Sequence, residues 1–196
     1  MISDFKNSYI NNLKNGLSQL PDEDLTIVFK QIEDALLNYR DIFVCGNGGS
    51  ASISEHLSCD HSKGIATNTR FFPRVHSLSS NMSLLTALAN DNGYEEVFSA
   101  QLLLQAKKDD LLIVISSSGN SLNIIRALEV ANALQMKTVA LTGFNGGKAK
   151  EIASYNLHIP VNNYGIVEDS HQILMHILAQ YIRTIHTTVD IDEVKL

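Results

Sequence analysis

His56 and Asp60 stand at i and i+4. On a helix that spacing puts both side chains on one face, where they could share a metal ion or a proton. It also describes an ordinary surface His–Asp pair. A second group lies far along the chain, from Glu168 through Asp169, His171 and Gln172 to His176. The apolar neighbours Ile173, Leu174 and Ile177 set His176 beside a buried seam, where a histidine can be either a ligand or a satisfied core residue. Between these groups lie two short loops of another kind. GNGGS at 46–50 and SSSGNS at 116–121 each follow an apolar run and precede a helical pattern. Both offer backbone amides, hydroxyls and the positive end of a helix dipole, which suits a phosphate, although each alone also reads as an N-capping turn. Neither is a GxGxxG fingerprint or a Walker A sequence, and no GK[ST] occurs, so a nucleotide cofactor is not expected.

The elements that must position these residues follow from hydrophobic period. Ile10, Leu13, Leu17 and Leu20, then Leu25, Val28, Ile32, Leu36 and Leu37, predict two leading helices separated by Pro21. Residues 41–45 then change period and predict a strand ending in the first loop, with a helix over about 51–62. Strands follow at 74–78, 111–115, 137–141 and 155–161, with helices near 83–88, 95–106 and after the second loop, and one long amphipathic helix over roughly 166–187. Strands alternating with helices imply right-handed βαβ units and a parallel sheet covered on both faces. The expected class is α/β: a three-layer flavodoxin-like fold with five parallel strands plus extra N-terminal helices. One domain over 1–196 is expected, with 1–39 a helical extension that could close a neighbouring subunit and 40–196 the α/β core. In open parallel sheets ligands sit beyond the carboxyl ends of strands, which brings both loops to one edge.

Composition narrows the classes. The chain is 44% hydrophobic and 18% charged, with net charge -6, as in a folded globular protein. The 15 basic residues form no run, so no nucleic-acid partner is expected. No apolar stretch reaches the ~18 residues of a membrane span, and MISDFKNSYI has no signal-peptide core. Two cysteines, Cys45 and Cys59, make no disulfide framework and point to a reducing, cytoplasmic setting. Cys59 is expected to be a small buried side chain; His61 and Lys63 read first as solvated loop residues, with reach to a substrate the alternative.

Strand–GNGGS–helix followed by strand–SSSGNS–helix resembles the SIS (sugar isomerase) family and, within it, the phosphoheptose isomerases. Asn90-Asp91, Leu141–Gly143 and Gly146–Lys148 match the same pattern, and the likeness runs through nearly the whole chain. It implies an aldose–ketose isomerase acting on a sugar phosphate, with sedoheptulose 7-phosphate the first expectation, through an enediol(ate). It puts substrate contacts on Asn47, Gly48, Gly49, Ser50, Asn90, Asp91, Ser116, Ser117, Ser118, Ser121 and Glu168. It puts a zinc ion on His56, Asp60, Glu168 and His176, gives proton transfer to Asp60 and His176, and implies a homotetramer with active sites where subunits meet. Three substitutions depart from the family pattern: Ser117 replaces Thr, Asp60 replaces Glu, and Glu168 replaces Gln. Residues eight apart lie about 80° apart around a helix, so Asp169 or Gln172 aligns with His176 better than Glu168 does. Two other readings share the loops: a regulator, or a homologue that binds a replication initiator, without catalysis; and an isomerase of a different phosphosugar. Non-catalytic members typically lose the carboxylate and the final histidine, both retained here.

Overall fold

The computed structural model describes residues 1–190. Two helices lead, α1 (Ile2–Ser18) and α2 (Asp22–Leu37). Pro21 opens α2, and Asp22, Glu23 and Asp24 in its first turn complement the helix dipole. Five strands follow: β1 (Asp41–Gly46), β2 (Arg74–Ser77), β3 (Leu111–Ser116), β4 (Lys137–Thr142) and β5 (Tyr155–His158). They form one parallel sheet in the order β2-β1-β3-β4-β5. The helices between and after them are α3 (Gly49–Cys59), α4 (Met82–Asn92), α5 (Ser99–Gln105), α6 (Leu122–Ala133), α7 (Gly147–Ile152) and α8 (Tyr164–His186). A π turn over Asp60–Gly64 continues α3.

Every residue of β1 and β3 is buried, as expected where both faces of a parallel sheet are covered. Alternation divides their side chains. Ile42, Val44, Leu111, Ile113 and Ile115 pack with Val28 and Ile32 of α2, Ile53 and Leu57 of α3, and Leu174 and Leu178 of α8. Phe43, Cys45, Leu112 and Val114 pack on the other face with Phe98, Leu102, Ile124 and Leu128. The second helix is thus embedded in the same core as the sheet rather than appended to it. By contrast α1 buries only Gly16 and packs along α8.

The strand order reverses between β1 and β3, each pairing with the other and then running outward. In doubly wound sheets that switch point opens a crevice at the carboxyl ends. The two strands that border it are the ones ending in GNGGS and SSSGNS.

Candidate active site

Each loop is held by a specific clamp. Gly48, at φ +54° and ψ −123°, takes a backbone shape that side-chain-bearing residues avoid, and α3 begins at the next residue. Asn47 and the buried Asn123 exchange side-chain hydrogen bonds, both 2.9 Å, and Tyr94 Oη donates to Asn47 Oδ1 at 2.8 Å. The serine loop turns on Gly119, whose N–H donates to the Ser116 carbonyl and Oγ, each 3.2 Å away. Residues 143–149 grip it from outside: Gly143 N–H donates to the Ser117 carbonyl at 3.0 Å, Ala149 N–H to the Gly119 carbonyl at 2.9 Å and Lys148 N–H to Asn120 Oδ1 at 3.1 Å.

Between the loops lies a cleft of about 150 Å³, lined by Asn47, Ser50, Ser116, Ser117, Ser118 and Ser121 with Ile115, Tyr164 and Glu168. The Ser117 hydroxyl is buried and has no hydrogen-bond partner among the described residues. The Glu168 carboxylate stands over the start of α3, so close that a Cβ added to Gly49 would lie 2.6 Å from its Oε2. Asn90 and Asp91 lie elsewhere, exposed on α4 and bonded to each other at 2.8 Å.

The second centre lies farther along the same two helices. His56 Nε2 and His176 Nε2 lie 3.5 and 3.3 Å from Asp60 Oδ2, and the two imidazoles meet edge to face at 5.0 Å. One ligand atom from each of the three residues falls within 4.8 Å of the others. Two imidazoles and a carboxylate at that separation fit a borderline divalent cation such as zinc. Glu168 is not in this group; the side chain of α8 that lies against it is Gln172, whose amide Nε2 is 2.8 Å from His56 Nδ1 and 3.3 Å from His176 Nε2. Asp169 points to α1, accepting a hydrogen bond from Tyr9 Oη at 2.7 Å. Burial first and then that carboxylate push the Tyr9 phenol up to about 12.

Cys59 and His61 correct the sequence expectation. Cys59 is exposed, whereas His61 is fully buried, its Nε2 3.1 Å from the Met175 carbonyl oxygen of α8. Lys63 is exposed as expected. Burial drives the His61 imidazole down to about 4, so it is neutral and donates that hydrogen bond. His171 is also fully buried, and burial, outweighing a contact with the Thr142 backbone, likewise lowers it to about 4.

His56 is seven positions after Gly49 and His176 eight after Glu168, so the cleft and the His/Asp group lie roughly 10 Å apart along the helix axes. One end offers hydroxyls and amides to an anion. The other offers a cation site and proton-carrying groups. Sequence reasoning missed Asn123 and Tyr94; their bonds to Asn47 are long-range contacts that no local motif announces.

The SIS domain model matches residues 7–143. The phosphoheptose isomerase of Aliarcobacter butzleri (strain RM4018) is 41% identical over 160 residues, covering 82% of this chain and 84% of that protein. The phosphoheptose isomerase of Helicobacter pylori (strain P12) is 39% identical over 170 residues, covering 87% and 88%. The solved phosphoheptose isomerase of Neisseria gonorrhoeae superposes with a TM-score of 0.84 at 28% identity, over 92% of this chain and 96% of that one. The chain belongs to the SIS domain family, on the branch that these phosphoheptose isomerases represent.

Proposed function

We propose that the protein is an aldose–ketose isomerase that interconverts sedoheptulose 7-phosphate and D-glycero-D-manno-heptose 7-phosphate. The names of its relatives and the retention of both centres support this reading. The observation that carries it is their arrangement: the serine cleft and the His56–Asp60–His176 group share α3 and α8, about two helical turns apart. A phosphate anchored in the cleft would leave the far end of a sugar chain beside the imidazoles.

In this reading Ser116, Ser117, Ser118 and Ser121 bind the phosphate with the start of α6. Asn47, Gly48, Gly49, Ser50 and Glu168 face the sugar. Asn90 and Asp91 are substrate contacts only if another subunit brings them to a cleft. Isomerisation moves a proton between adjacent carbons through an enediol, which needs a base near neutral pKa and an electrophile at the oxygens. A divalent cation, zinc on the donor set, held by His56, Asp60 and His176, would supply that electrophile. Asp60, through a carboxylate oxygen left free of the cation, moves the proton in this reading, with His176 the alternative carrier. The serine loop fixes the phosphate and so holds the reacting carbons in register.

We further propose that the whole chain works as one SIS unit in a cytoplasmic homotetramer whose sites lie between subunits. A 150 Å³ cleft is small beside the ~300–1,000 Å³ of ligand pockets, which fits a site completed by a neighbour. No helix among the described residues is long and apolar enough to cross a membrane.

The test is turnover of sedoheptulose 7-phosphate with and without added zinc, for the wild type and His176→Ala. Turnover by the wild type, and its loss in His176→Ala with sugar-phosphate binding retained, are expected. A wild type that binds the sugar phosphate and never converts it is a non-catalytic binder and ends the proposal.

A further inference from the structure

Two pairs of side chains meet where α3 and α8 face each other. His56 and Asp60 are i and i+4 on one helix; Gln172 and His176 are i and i+4 on the other. Three of the four form the group suited to a cation. The fourth, Gln172, is half-buried, and its amide nitrogen is 2.8 Å from His56 Nδ1, while the other ring nitrogen of His56 faces Asp60. His56 therefore uses Nε2 toward the carboxylate and Nδ1 toward Gln172. A histidine that binds a metal through one ring nitrogen needs a hydrogen-bond partner on the other, which fixes the tautomer and the ring's direction. The neighbouring acids of α8 are engaged elsewhere. Asp169 accepts from Tyr9, and Glu168 stands in the serine cleft.

Resting on the metal reading above, we propose that Gln172 is the positioning residue of this centre, holding the His56 ring by Nδ1 so that Nε2 points at the cation. The planar amide serves both states. Its NH2 donates to a bare Nδ1 when the site is empty. A half-turn about the last side-chain bond presents Oε1 to Nδ1–H when Nε2 is coordinated. Gln172 also reaches His176 Nε2 at 3.3 Å, so one side chain spaces both imidazoles. Glu168, four residues earlier and turned to the serine cleft, does not take this part.

The experiment measures zinc affinity by competition with a chromophoric chelator, together with the visible spectrum of the cobalt-substituted protein. Gln172→Met keeps the volume and removes the acceptor. It should bind zinc about 10- to 100-fold more weakly and alter the cobalt spectrum, while its metal-free melting temperature stays near that of the wild type. Gln172→Ala should show the same loss. Gln172→Glu restores an acceptor at the same reach and should bind zinc as tightly as the wild type or more so. Glu168→Gln should leave zinc affinity within about threefold, against the loss of a 10- to 100-fold factor at Gln172. Wild-type affinity in Gln172→Met, failure of Gln172→Glu to restore binding, or a loss that follows Glu168 instead would each overturn the role of Gln172. A wild-type chain that takes up no zinc overturns the metal reading itself, and the two failures are thus distinct.

Discussion

A Cβ added at Gly119 would lie 1.9 Å from the Gly146 carbonyl oxygen, on a backbone already at φ +64°. The obstacle is main chain and cannot step aside. Gly119→Ala should therefore cost roughly 2–4 kcal/mol in stability, the sum of left-handed strain and overpacking. Gly49 differs: its φ is not in the left-handed region, and the atoms nearest its added Cβ would be those of the Glu168 carboxylate, the end of a flexible side chain. Gly49→Ala should keep the fold within about 1 kcal/mol while pushing Glu168 from the cleft and raising the sugar-phosphate KM several-fold. Urea unfolding and steady-state kinetics on both variants check this; equal stability losses, or a Gly49→Ala enzyme of unchanged KM, would contradict it. At this scale the local pairs were readable in the sequence. His56 with Asp60 needs only helical spacing, and the angle between residues 168 and 176 already pointed past Glu168 to Asp169 or Gln172. The Asn47–Asn123 exchange was not readable, because its partners are 76 positions apart and neither position signals the other.

The last helix buries two imidazoles, its own His171 and, through the Met175 carbonyl, His61 of the π turn. Both have folded values near 4 against an ordinary 6.5. Between those values the unfolded chain binds protons that the folded chain does not. This part of the stability is complete above about pH 6.5 and is lost as pH falls toward 4, each group contributing up to about 1.4 kcal/mol per pH unit. Urea midpoints at pH 7, 6 and 5 should fall steadily, and His171→Phe should flatten the slope by one proton. A midpoint constant from pH 7 to 5 would mean the imidazoles are not buried neutral. The strands, the glycine and serine loops that follow β1 and β3, and α8 followed from period and from the breaks at glycine and serine. The π winding did not: the helix expected over about 51–62 already reaches Ser62, but nothing in the polar run Cys59–Gly64 announces the wider pitch. Its wider winding carries His61 inward, against residue-type preference, and leaves Cys59 outside. Likewise the packing of α2 into the core was hidden, since the alternation of strands and helices begins only after it.

At the scale of the molecule, the apolar side chains left outside are concentrated on helices. Ile2 and Phe5 of α1 are 82% and 68% exposed, and Leu103 and Leu104 of α5 are 64% and 72% exposed. Adjacent exposed leucines on one short helix are costly in water, each worth roughly 1.5–3 kcal/mol if covered, and such patches mark protein contacts. The proposed tetramer would cover them and would let a neighbour extend a cleft too small to enclose a sugar phosphate alone. Light scattering should then give about 86 kDa, four times the 21.6 kDa chain. The double change Leu103→Glu with Leu104→Glu places charge in that contact without touching the sheet or the His56–Asp60–His176 group. It should lower the mass, and turnover per chain should fall with it while the far-ultraviolet circular dichroism stays unchanged. A wild-type chain that runs as a 21.6 kDa monomer at full activity would show that each cleft is complete by itself.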